Sequence, residues 1–218
     1  MMTTAQIKEL DKWMSGFEIW RSGNLVYLET LKCASTYYFD IFENNGWVKH
    51  TADKIDWDND HVFSFIMEPL ERRLKGLTEY ITFFPKYMPL LDLDQQFWSN
   101  LLYLNEHSMP YTLSFHRHAY QIDWIPIDRE YSSDRLLEKL VEKYNITLSG
   151  LYSDKKNVSS AKKLAVYEKI KALTAGGNFN LFMGIDPDIF LYNTVCKQIN
   201  VENLNTATWD EISWLRSK

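Results

Sequence analysis

Apolar and polar positions alternate along this chain with two different periods. Ile7, Leu10, Trp13, Met14 and Phe17 recur at helical spacing and predict an N-terminal amphipathic helix over 4–21. Short apolar runs follow: 24–30 predicts a strand, 36–45 a helix, and a short strand falls near 46–50. Val62 to Ile66 is a compact apolar run that predicts a strand over 61–67, and Pro69 suits the first turn of a helix over 69–82. Phe83 to Asp94 carries two prolines and predicts a loop, then a helix over 93–105 and a strand over 121–127. Leu136, Leu137, Leu140 and Val141 mark a serine-capped helix over 132–145. A lysine-bearing helix over 159–174 stops before Gly176-Gly177. Helices over 186–200 and 208–217 close the chain, the last opened by a Thr208-x-x-Glu211 capping box.

Strands alternating with helices predict an α/β fold: a parallel central sheet with helices on both faces, in three layers. At 218 residues the chain is long enough to bury a sizeable core, and one domain over 1–218 is expected, with an N-terminal helix (1–22), a core (24–200) and a C-terminal helix (206–218). In such sheets ligands bind beyond the strand C-termini.

Chemistry concentrates where the first strand ends. Lys32, Cys33, Ala34, Ser35 and Thr36 form a turn between that strand and a helix. The first N–H groups of a helix have no partner within it, and the helix dipole adds partial positive charge there. Lys32 adds a full charge and Ser35 and Thr36 add hydroxyls, so an anion such as phosphate or sulfate is the expected occupant. The plainer alternative is a strand–turn–helix with a Ser/Thr cap. The turn is not a Walker loop, because no glycine lies between Gly23 and Gly46.

Lys32-Cys33-Ala34-Ser35-Thr36 resembles the 5′-phosphosulfate loop of sulfotransferases that use 3′-phosphoadenosine-5′-phosphosulfate (PAPS). Glu68, Pro69 and Arg72 fall in step with the Arg-[Asp/Asn]-Pro-x-x-Arg-x-x-Ser segment of the carbohydrate-modifying members, with Met67 in place of the leading arginine and Lys75 in place of the serine. Asn105 to Pro110 resembles the Asn-x-His-Trp-x-Pro segment of the same enzymes, with Ser108 for Trp. Residues 121–128 resemble their Tyr-Asp-x-Ile strand, and residues 189–199 resemble their Asp-x-x-Leu-Tyr helix. The resemblance covers roughly residues 24–200.

The resemblance implies a sulfotransferase fold akin to P-loop NTPases. It implies PAPS as donor, adenosine 3′,5′-bisphosphate as product, and a hydroxyl of a carbohydrate or similar small molecule as acceptor. Lys32 would sit at the leaving phosphate, and Cys33, Ala34, Ser35 and Thr36 around its oxygens. Met67 cannot bind the 3′-phosphate, so Arg72, Arg73 or Lys75 would compensate, with Lys155, Lys156, Lys162 and Lys163 as a later basic group over it. Lys75 also suits an i,i+4 pair with Glu71. For the general base, His50 is the first candidate, followed by Glu29 and His107, while His61 opens a strand and suits a structural role. Rivals on the same architecture are a non-catalytic or altered-donor nucleotide binder and a small-molecule kinase.

Charge and length limit the alternatives. A net charge of −5 argues against general nucleic-acid binding. No apolar run approaches the ~18 residues of a membrane span, and the N-terminus lacks the apolar stretch of a secretory leader. Two cysteines, Cys33 and Cys196, do not make a disulfide framework, and a cytoplasmic protein is expected. His116-x-His118 on a strand would put two imidazoles on one face, but no third ligand accompanies them, and no metal is expected.

Overall fold

The computed structural model describes residues 4–84, 109–127, 132–153, 160–175, 185–199, 204, 206–213 and 215. Their elements run α1 (Thr4–Met14), β1 (Glu18–Ser22), β2 (Leu25–Leu28), α2 (Ser35–Asn44), β3 (Val48–Thr51), a 3-10 turn (Ala52–Lys54), β4 (His61–Met67), α3 (Pro69–Phe83), α4 (Tyr111–Ser114), β5 (Asp123–Ile127), α5 (Ser133–Lys143), α6 (Ala161–Ala175), α7 (Asp186–Gln198) and α8 (Trp209–Ile212). The helix expected over 93–105 lies outside the described residues.

The strands form one sheet in the order β3-β1-β2-β4-β5. It is mixed, which corrects the expected parallel sheet. β2, β4 and β5 are parallel, whereas β1 pairs antiparallel with both β2 and β3. The antiparallel part comes from a segment read as helix. α1 stops at Met14, and Glu18–Ser22 turns back through Gly23-Asn24 into β2. Gly23 has φ +60° and Asn24 does not share it, the pattern of a two-residue turn with glycine first. Trp20 and Phe17 satisfied a helical period, but the tight turn gives Ile19 and Trp20 strand partners in Leu28 and Tyr27.

β2 and the inner part of β4 are buried on both faces, as their near-continuous apolar runs require, with Ser64 the one polar residue among them. On one face Tyr27 packs against Phe42, Phe63 and Phe65, at 4.9, 5.6 and 5.5 Å between ring centres, and Tyr38 of α2 stacks on Phe65 at 3.8 Å. Trp124 lies opposite Ser64 and so projects to the other face, where it meets Tyr111 and Phe115 at 5.6 and 5.8 Å. Leu136, Leu137, Leu140 and Val141 of α5 are all buried. A second, smaller cluster joins α3 to α6 through Leu74, Leu77, Ile81, Val166 and Ile170.

Helix boundaries follow their caps. Pro69 sits in the first turn of α3, whose leading N–H groups donate to Glu68 (Leu70 N at 3.1 Å, Glu71 N at 2.7 Å). Ser132 caps α5 and accepts from Arg135 N. The Thr208/Glu211 capping box forms, but α8 ends at Ile212 because Ser213 turns in to donate to Asp123 at 2.9 Å.

Candidate functional site

Parallel pairing of β2 with β4 brings Leu28 and Met67 to the same edge of the sheet. The loop from Glu29 to Ala34 leaves this edge and enters α2. Cys33 N donates to Thr30 O at 3.2 Å, closing a tight turn. Lys32 and Ala34 have φ of 68° and 58°, the left-handed region that non-glycine residues enter at a cost of about 1–2 kcal/mol each. Left-handed residues alternating with others turn successive N–H groups toward one side, the geometry that receives anions. Ala34 is the cap residue of α2 and offers no side-chain cap, so the first N–H groups of the helix lack the partner that a serine or threonine cap would supply. Ser35 begins the helix rather than capping it, which sets aside the plain Ser/Thr-cap alternative.

The loop rests on buried polar groups. Arg72 is 4% exposed; its Nε donates to Leu31 O at 3.0 Å, its Nη1 donates to Met109 O, and its guanidinium lies 4.2 Å over the Tyr111 ring. Tyr111 Oη lies 3.1 Å from Cys33 Sγ and accepts from Met67 N at 3.0 Å. Asp188 holds Tyr111 from behind, accepting from Tyr111 N at 2.6 Å and from Thr112 N at 2.9 Å. Thr30 and Ser64 hydroxyls meet beneath the loop, and Ser64 Oγ donates to Leu28 O at 2.6 Å. Two expected ligand residues therefore point inward. The Cys33 side chain is fully buried, and burial pushes its thiol pKa up. Arg72 supports the loop from below, and Arg73 is buried as well.

The lysines around the loop form a chain with two carboxylates. Lys32 Nζ pairs with Glu79 Oε2, and Lys163 Nζ of α6 lies 3.6 Å from the same oxygen. Burial pulls the Lys32 pKa down, and Glu79 opposes that shift. Lys75 Nζ lies 3.2 Å from Glu71 Oε1, the i,i+4 pair its spacing suggested, and 3.6 Å from Met67 Sδ. Met67 and Lys75, which stand where the Arg-[Asp/Asn]-Pro-x-x-Arg-x-x-Ser segment has arginine and serine, are thus neighbours in space. Tyr167 Oη donates to Glu71 Oε2 at 2.6 Å. Lys155 and Lys156 lie outside the described residues.

The candidate bases separate. Glu29 follows directly on β2 and is 8% exposed. Burial pushes its pKa up to about 7, with the Glu18 carboxylate adding to the shift and the Ser35 hydroxyl opposing it. Ser35 is also the first residue of α2, so Glu29 and the Lys32 loop share one place. His50 lies on exposed edge strand β3, directly opposite Ile19, which is itself opposite Leu28. Residues directly opposite in a ladder share a face, so His50 projects to the sheet face that Leu28 uses and Glu29 to the other. His107 lies outside the described residues. His61 opens β4 with Nε2 3.3 Å from Asp123 Oδ2.

His116 and His118 lie in the turn after α4, not on a strand. Their ring centres are 6.5 Å apart, His116 pairs with Asp11 at 2.7 Å, and His118 stacks on Trp57. A cavity of about 450 Å³ opens elsewhere, beside Lys139, Lys143, Thr208, Trp209 and Asp210. None of the expected site residues lines it, and Trp209 is tied to Asp123 at the start of β5, at the opposite end of the strands.

Sequence reasoning missed Glu79 and Tyr111. The spacing Glu71, Lys75, Glu79 was a signal for the first, since it puts all three on one face of α3. Nothing local marks Tyr111, which reaches the loop across 78 residues. Among the described residues, no helix is long and apolar enough to cross a membrane. No family model, curated protein or solved structure matches this chain.

Proposed function

We propose that this chain is a sulfotransferase that moves a sulfuryl group from PAPS to a hydroxyl of a carbohydrate or similar small acceptor, on a three-layer fold akin to that of P-loop NTPases. The observation that carries this reading is the loop itself. Lys32 and Ala34 hold left-handed backbone in front of an α2 N-terminus without a side-chain cap, beside Met67 and Lys75 at the C-terminal edge of parallel β2 and β4.

In the reaction, the acceptor oxygen attacks sulfur in line with the bridging oxygen of the donor phosphate. The sulfur–oxygen bond to that phosphate breaks, and its electron pair leaves with adenosine 3′,5′-bisphosphate. Lys32 stabilises the charge that builds on the leaving phosphate. Backbone N–H groups of the loop and the Ser35 and Thr36 hydroxyls hold its other oxygens. Glu29 takes the acceptor proton; a carboxyl with pKa raised to about 7 is a better base near neutrality than an ordinary one. Lys75, beside Met67, is the cation nearest the position where the family reads the 3′-phosphate. With Cys33 and Cys196 both outside any disulfide, a reducing, cytoplasmic setting suits the chain.

A second reading is a non-catalytic nucleotide binder on the same fold. Two observations favour it: methionine at position 67 and the engagement of Lys32 by Glu79. Calorimetric titration with adenosine 3′,5′-bisphosphate, beside 5′-AMP and the K32A variant, tests the donor site. Micromolar binding that needs both the 3′-phosphate and Lys32 is expected, and binding of neither nucleotide rejects both readings. Release of labelled sulfate from PAPS to an added sugar acceptor then separates enzyme from binder.

A further inference from the structure

The cations of the loop are not bare. Lys32 and Glu79 side chains are only 16% and 21% exposed, so water screens their pair poorly. Lys163 flanks Glu79 from α6, and Arg72 adds like charge on the Lys32 side. Glu71 holds Lys75 one helical step away, and Tyr167 fixes Glu71. The α3 face carrying Glu71, Lys75 and Glu79 therefore presents a carboxylate to each cation that an anionic ligand would use.

We infer that Glu79 is a specificity-determining counter-ion: it occupies Lys32 in the ligand-free chain, and only a ligand with negative charge on two linked groups displaces it. The inference rests on the reading of the loop as a phosphate site. A single phosphate or sulfate that replaces Glu79 gains one contact with Lys32 and loses the existing one, and it also bears the entropy of association. A pyrophosphate-like or phosphosulfate ligand meets Lys32 with one group and the loop N–H groups or Lys75 with the other, so the exchange becomes favourable. Glu79, once displaced, stays beside Lys163 and is not left as an uncompensated charge. Glu79 thus selects against the abundant single anions.

The test is acetylation of Lys32 by a small amine-reactive ester, mapped by mass spectrometry in the wild type, E79Q, E79A and the control E71Q. Lys32 is expected to react about fivefold faster in E79Q and E79A, as loss of a partly exposed ion pair implies, and at the wild-type rate in E71Q. Equal Lys32 rates in all four proteins overturn the counter-ion. Protection from labelling tests selectivity: inorganic pyrophosphate is expected to protect the wild type, and inorganic phosphate only the Glu79 variants. Phosphate protecting the wild type equally well overturns the selectivity. Faster labelling of E79Q without protection by any anion overturns the selectivity and the phosphate-site reading together. Equal labelling with nucleotide binding intact overturns the counter-ion alone.

Discussion

Arg72 lies over Tyr111, its guanidinium carbon 4.2 Å from the ring centre, and the two side chains together carry the Lys32 loop. Arg72 takes Leu31 O, and Tyr111 takes Met67 N while meeting Cys33 Sγ. Four chain segments, the loop, the end of β4, α3 and α4, therefore meet at one buried contact. Asp188 ties α7 to it as well. The strained backbone at Lys32 and Ala34 needs such support, because left-handed non-glycine residues persist only where their surroundings hold them.

Tyr111→Phe removes the hydroxyl and leaves the buried Met67 N–H without its acceptor. A loss of about 1–3 kcal/mol is expected in urea unfolding, with an unchanged m-value. Nucleotide binding should weaken in parallel, since the loop loses its floor. A cost within experimental error of zero would show that the loop holds its shape without Tyr111.

Glu29 makes stability depend on pH. The folded chain keeps its proton up to about pH 7, whereas an ordinary glutamate releases it near 4.5. Between these values the folded state binds more protons than the unfolded one, so stability falls as pH rises through the window. Glu29→Gln should remove this slope and stabilise the chain by about 2–3 kcal/mol at about pH 8, while leaving stability at about pH 4 nearly unchanged. Urea midpoints of both proteins across that range check it. An E29Q midpoint that falls as steeply as the wild type's from about pH 5 to about 7 would remove Glu29 as the cause.

What the sequence disclosed follows from how local each cause is. β4 was legible to the residue because Val62 to Ile66 is apolar but for Ser64, and His61 and Pro69 bracket it. The Ser132 cap and the Thr208/Glu211 box were local signals and both formed. β1 was hidden because Phe17 and Trp20 suit a helical period, and only the Gly23-Asn24 turn marks the hairpin. At the site, the loop was legible as a short polar turn, but the inward aim of Cys33 and Arg72 was not. Their direction is set by Tyr111 and Met109, which no pattern near residues 33 or 72 announces. The choice of Glu29 over His50 likewise depends on strand register, since one step along a strand reverses the face.

Met67→Arg tests the proposed 3′-phosphate position. The new guanidinium would reach the place that Lys75 Nζ now shares with Met67 Sδ, and a charge-assisted bond to phosphate contributes about 1.5–3 kcal/mol. Adenosine 3′,5′-bisphosphate should bind at least about tenfold tighter, with 5′-AMP unchanged. Equal gains for both nucleotides would mean that the arginine acts as a general cation and reads no 3′-phosphate. Because Met67 is buried beside Lys75, the variant is also expected to unfold at lower urea, and Lys75→Ser in the same chain should recover part of that loss.

Asp123 offers a test at the other end of the sheet. It is fully buried and accepts from Trp209 Nε1 at 2.7 Å and from Ser213 Oγ at 2.9 Å, with His61 Nε2 at 3.3 Å. Asp123→Ala strips Trp209 and Ser213 of their acceptor, removes the carboxylate beside His61, and should cost about 3 kcal/mol. Asp123→Asn keeps one oxygen and should cost about 1 kcal/mol. Amide hydrogen exchange should show the loss concentrated at Trp209 to Ser213 in the asparagine variant, with β4 still protected. This end holds the C-terminal turn down and carries none of the loop, so Lys32-dependent nucleotide binding should survive in Asp123→Asn. Loss of binding in a chain whose β4 stays protected would mean that the two ends of the strands are coupled through β5.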